Sequence, residues 1–98
     1  MRNEQIRTAL EAYAKDHEQE ILVLDNHDYD DSIVGITEDG RVVYDYEKMV
    51  EEFMNDENCP EEDAREWLDY NTLRAIPYMG EHAPIVLNIN RNDLLERY

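Results

Sequence analysis

The chain has 98 residues, enough for one domain built on a single modest core. A hydrophobic content of 42% with nine aromatic residues excludes a fully disordered acidic protein, and the single cysteine, Cys59, excludes an internal disulfide and a multi-cysteine metal site. A net charge of −16 repels nucleic acid and anionic lipid and draws in basic partners.

Asn3 is a candidate N-cap. Ile6, Ala9, Leu10, Tyr13 and Ala14 follow it at helical spacing, which predicts a helix over residues 4–15 with Arg7 and Lys15 outside the apolar stripe. Residues 21–24 (Ile, Leu, Val, Leu) read as a short buried strand, and the polar run 25–31 closes it. Residues 32–37 and 41–44 are β-branched and aromatic around Glu38, Asp39 and Gly40. Asp-Gly there predicts a hairpin whose two central turn residues take positive φ. Val34 and Ile36 would then share one face, as would Val42 and Tyr44.

Asp45 can cap a helix over residues 46–55 that turns Met49, Val50, Phe53 and Met54 inward, broken by residues 55–58. The next start is marked by Asn58 or Cys59 as cap, Pro60 in the first helical position and Glu61, Glu62 and Asp63 in the first turn. Ala64, Trp67, Leu68, Asn71, Thr72 and Ala75 mark its buried face, and Pro77 ends it. Residues 78–83 form a loop, 84–89 a strand with Pro84 at its entry, and Asn92 or Asp93 starts a last short helix. The expected fold is a single α+β domain over residues 1–98, a three- to four-stranded, mainly antiparallel sheet with helices on one face.

Two segments and the hairpin run 31–46 carry a resemblance. They are Pro60-Glu-Glu-Asp-Ala-Arg-Glu-Trp-Leu-Asp-Tyr-Asn-Thr-Leu-Arg-Ala-Ile-Pro-Tyr-Met-Gly and Ala83-Pro84-Ile85-Val86. Over about residues 20–87 the chain resembles small acidic proteins of Firmicutes bacteria and their phages that have no assigned activity. The resemblance implies a phage- or mobile-element-associated cytoplasmic protein and brings no catalytic residue.

The sequence itself offers little catalytic chemistry. Asp28, Asp30 and Ser32 imitate the opening of a calcium loop. Ile33 then stands where the sharp turn needs glycine, and Asp39 where a bidentate glutamate is usual, so a solvated turn without metal is the expectation. His17, His27, Asp28 and Cys59 fit no nucleophile–base spacing. Cys59 reads as a helix cap, because the acids that follow it oppose a lowered thiol pKa. No enzyme activity and no cofactor are expected. The first residues, MRNEQIRTALEAY, lack the apolar run of a signal peptide, and no stretch is long enough to span a bilayer, so a soluble cytoplasmic protein is expected.

The charge is concentrated. Residues 16–69 hold 20 of the 25 acids against Arg41, Lys48 and Arg65, a local sum of −17. Glu61, Glu62, Asp63, Asp39 and Asp45 have helix-dipole, turn or cap roles. The others form a run from Asp16 to Asp31 and a second patch from Glu47 to Glu57 with little opposite charge, unlike an ordinary solvated surface. The candidate partner-binding residues are Asp25, Asp28, Asp30, Asp31, Glu47, Glu51, Glu52, Asp56 and Glu57, with Glu66 and Asp69 beside them. Tyr29, Tyr46 and Tyr70 could receive arginines if exposed, whereas Trp67 is expected in the core.

The leading expectation is an acidic inhibitor that occupies the basic surface of a nucleic-acid-binding protein or nuclease, as DNA mimics in anti-restriction or anti-CRISPR counter-defence do. The alternative is a non-enzymatic regulatory or assembly module using an apolar surface from Tyr78 to Pro84, around Tyr78, Met79 and His82. Salt adaptation is less attractive beside eight asparagines and many bulky apolar residues.

Overall fold

The computed structural model describes residues 2–24 and 27–98, without the side chains of residues 2–4 and 27–28. The chain forms helix α1 (Arg2–Asp16), a 3₁₀ helix (His27–Ser32), strands β1 (Ile33–Ile36) and β2 (Val42–Asp45), and helices α2 (Tyr46–Glu57) and α3 (Glu61–Asn71). A second 3₁₀ helix (Leu73–Met79), strand β3 (Ile85–Leu87) and helix α4 (Arg91–Arg97) complete it. The fold is α+β, with one three-stranded mixed sheet in the order β1-β2-β3.

β1 and β2 pair antiparallel as the hairpin the sequence predicts, but its geometry differs in two ways. Gly40 takes φ 84° while Asp39 does not have positive φ, so the connection is a longer loop than the two-residue turn expected. Gly40 N–H donates to Thr37 O at 3.0 Å and Thr37 N–H to Arg41 O at 2.8 Å, closing that loop. A Cβ on Gly40 would also lie 3.2 Å from Gln19 Oε1 and 3.3 Å from His82 Nδ1, so those side chains would have to give way slightly, and the positive φ is what favours glycine. The second difference is a bulge. Ile33 pairs with Tyr44 and Gly35 with Val43, leaving Val34 as the extra residue. Val34 is therefore 56% exposed, and Ile33 joins Ile36 against the core in its place. Val42 and Tyr44 share the buried face as expected.

β2 pairs with β3 in parallel, Tyr44 opposite Val86. A parallel pair needs a long crossover, which α2, α3 and the second 3₁₀ helix supply. Asp45 ends β2 and caps α2, accepting from Glu47 N–H at 3.1 Å and Lys48 N–H at 3.4 Å. Its other oxygen accepts from Asn90 Nδ2 at 2.9 Å, and Asn90 Oδ1 caps α4 through Asp93 N–H at 2.8 Å. One side-chain pair thus sets the start of both helices.

α2 continues past the expected break because Asn58 takes the left-handed conformation at φ 51°, ψ 51° and closes it one residue later than Glu57. Pro60, rather than Asn58 or Cys59, is the N-cap of α3, without a side-chain hydrogen bond. Cys59 packs against the core. α3 stops at Asn71, and Pro77 lies inside the following 3₁₀ helix instead of ending one long helix. Asn3 lies within α1 and does not cap it. Met49 of α2, Leu68 and Ala64 of α3, and Val42 and Tyr44 of β2 are the fully buried centre of the core.

Residues 21–24 form no strand. Leu24 is buried, but its backbone is satisfied by side chains: its N–H donates to Tyr44 Oη at 2.9 Å and its carbonyl accepts from Arg7 Nη2 at 2.9 Å. Burial holds the Tyr44 phenol above its usual pKa, so it stays a neutral acceptor.

Candidate partner-binding surface

The acidic run before β1 is divided by Arg7. Its guanidinium grips Asp30 in a fork, Nε to Oδ2 at 2.6 Å and Nη2 to Oδ1 at 2.9 Å, and the Asp30 side chain is 0% exposed. Tyr29 is equally buried, at 2%. Neither can meet a partner, which corrects the expectation from sequence. Both face inward because the segment winds into a 3₁₀ helix packed against α1 and α2. Arg7, Leu10 and Ala14 are spaced i, i+3 and i+7, which sets Arg7 at the border of the apolar face of α1, but that spacing does not single out Asp30 as its partner.

Glu47 is also occupied. Arg65 of α3 binds it through Nη1 at 2.7 Å and Nη2 at 3.1 Å, and Arg97 of α4 approaches at 3.3 Å. Those arginine hydrogen bonds hold the Glu47 carboxyl below its usual pKa, and they hold Arg65 protonated. Arg65 also bonds Glu61 at 2.9 Å and lies 5.5 Å from the centre of the Tyr46 ring. Tyr46 is buried, and its hydroxyl donates to Asp69 Oδ1 at 3.0 Å. Glu47 thus clamps α2, α3 and α4 together rather than forming a repelling pair with Glu51. Asp69 is exposed but serves Tyr46.

The two patches meet elsewhere. Glu52 of α2 has its carboxyl pushed above the usual glutamate range, first by partial burial and then by the charges of Asp31, Asp56 and Glu51, with Lys48 opposing. Asp31 comes from the loop run and the other three from the helix, so fold geometry joins acids that the sequence separates. Beside them lies a depression of about 420 Å³ whose walls include Asp31, Glu52 and Lys48 and whose apolar part is Ile6, Ala9 and Ile33. Asp31 and Glu51 are exposed and make no ion pair among the described residues. Glu57 is exposed at the end of α2.

Glu66 is not part of this group. With Asp63, Tyr70 and Asn71 it borders a separate depression against Trp67. Trp67 stacks on Phe53 with centroids 4.9 Å apart and an interplanar angle of 28°, yet remains 43% exposed, where a core position was expected. Asp63, Glu66, Trp67 and Tyr70 follow i, i+3, i+4, i+7, so the sequence did carry a signal for this mixed acidic and aromatic face. Tyr70 is exposed, as the sequence allowed.

Asp25, and the side chain of Asp28 with that of His27, lie outside the described residues. Among the described residues no group of three or more His, Cys, Asp or Glu side chains is placed to hold a metal ion, and no helix is long and apolar enough to cross a membrane. Comparison with protein families, with characterised proteins and with solved structures finds no match for the chain.

Proposed function

We propose that this protein binds a basic protein surface through the face formed by Asp31, Glu51, Glu52 and Asp56, and that the surface it covers is one used for nucleic acid. The observation that carries the reading is the gathering of Asp31, Asp56 and Glu51 around Glu52, whose carboxyl is raised first by partial burial and then by those three acids, against the opposing charge of Lys48. Like charges held together on a helix and an adjoining turn are a cost to the free protein, and they are relieved when a cationic surface closes over them. Duplex DNA presents a charge about every 1.7 Å along its axis, the kind of density a nuclease or DNA-binding factor is built to receive. The mechanism is competition, without turnover. The sequence resemblance adds a setting in phage or mobile-element counter-defence, of the anti-restriction or anti-CRISPR kind.

The test is capture of a partner from cells carrying restriction or CRISPR systems, followed by affinity measurements against salt and against DNA. Binding should weaken steeply as salt rises, DNA should compete, and Asp31→Asn with Glu52→Gln should weaken it further. An affinity indifferent to salt and to DNA sinks the proposal. A second reading, an assembly module using residues 78–84, has Tyr78 in its favour at 91% exposed, although Ala83 and Pro84 of that run are buried. Under that reading Tyr78→Ser, and not the acid changes, abolishes binding.

A further inference from the structure

The exposed edge of Trp67 opens on a groove distinct from the depression at Glu52. It encloses about 360 Å³ between Val23 and Leu24 on one side and Trp67, Thr72, Ala75 and Met79 on the other. That is the low end of ligand-site volumes, which run from about 300 to 1,000 Å³, and suits one or two apolar side chains. Trp67 and Asn71 border both this groove and the depression that carries Asp63, Glu66 and Tyr70. An apolar slot and an acidic ledge are therefore continuous across a single indole. The ledge already holds a cation in the favoured way, with the Arg74 guanidinium 5.5 Å from the Tyr70 ring centre.

Charge decides what can cover this site. A second copy of the chain would add another −16 and set acid against acid. An acidic or neutral apolar segment would fill the slot and leave Asp63 and Glu66 without a counter-charge. We infer that the groove docks a basic amphipathic segment of a partner protein, with an apolar side chain seated beside Trp67 and an Arg or Lys above Asp63 and Glu66. The inference does not depend on competition with nucleic acid and concerns residues other than those around Glu52.

Trp67 is the one tryptophan in the chain, so its emission reports occupancy directly. The probe is a short synthetic peptide with Leu and Arg at helical spacing and no Trp or Tyr. Its addition to the full chain should shift the emission to shorter wavelength and saturate. Ala75→Phe, which fills the slot from an exposed position, should abolish the shift. Asp63→Asn with Glu66→Gln should weaken affinity by about threefold to tenfold, the size expected of two exposed ion pairs. Asp31→Asn with Glu52→Gln should leave the shift unchanged, which separates this site from the acidic face. Absence of a shift, or equal binding by a peptide with Ser in place of every Leu, would overturn the inference without reference to any variant. A full shift in folded Ala75→Phe protein would overturn it as well.

Discussion

The Arg7 guanidinium has two tasks at once: it neutralises a carboxylate that water cannot reach, and it accepts responsibility for the Leu24 carbonyl. Removing Arg7 takes the opposite charge and its fork of hydrogen bonds away from a buried carboxylate. Arg7→Met, which keeps most of the apolar stem, should therefore lower stability by about 3–5 kcal/mol. Exchanging both partners for apolar residues should be far milder, so Arg7→Met with Asp30→Leu should recover most of the loss. Urea denaturation of the two variants measures the difference. A single variant as stable as the parent would show that Asp30 does not depend on Arg7. At this scale the sequence was legible where one residue acts on its own backbone neighbours, as Asp45 does in capping α2. It was opaque where the partner is distant: nothing local distinguishes Asp30, which is buried, from Asp31, which is exposed.

Helix α2 shows how an element divides its side chains among different tasks. Asp45 starts it, Met49 and Val50 anchor it, Glu47 ties it to α3 and α4, and Glu52 faces the turn that carries Asp31. The last of these is unfavourable for the free protein. An acid whose folded pKa is raised destabilises the fold while ionised, and the penalty fades as pH falls through that raised pKa toward the ordinary value of 4.5. Glu52→Gln should thus be more stable than the parent at pH 7 by a few tenths of a kcal/mol, the size of one like-charge pair on a helix. The advantage should vanish at pH 4, as thermal melts across that range would reveal. A destabilised Glu52→Gln variant at pH 7 would mean that Lys48, the i−4 neighbour, outweighs the three acids. Among the elements, the start of α2 and the pairing of the hairpin strands were legible because Asp45 and Gly40 act within a few residues, whereas α1, α3 and α4 begin elsewhere than at the caps the sequence suggested. The bulge at Val34 and the missing strand at residues 21–24 were not legible either, since both depend on what lies across the sheet and on the Tyr44 hydroxyl.

The charge of the whole molecule makes opposite demands on folding and on binding. The protein measures 41 × 29 × 29 Å. At 0.01 M salt the screening length of about 30 Å spans the body, so acids on all sides repel one another, whereas at 1 M it shrinks to about 3 Å and leaves only contacts. The buried Arg7–Asp30 pair is shielded from this change, while the −16 surface is not. Raising monovalent salt from 0.01 to 1 M should therefore raise the melting temperature of the free protein. The same titration should weaken its hold on a basic partner, because the attraction and the self-repulsion are screened together. Measured side by side, the two trends separate loss of affinity from loss of fold: a complex that dissociates under conditions where the free chain melts at a higher temperature has lost its electrostatic attraction. If salt instead lowers the melting temperature, the ion pairs that Arg65 and Arg97 make with Glu47 outweigh the surface repulsion, and the acidic face is less strained than the crowding at Glu52 implies.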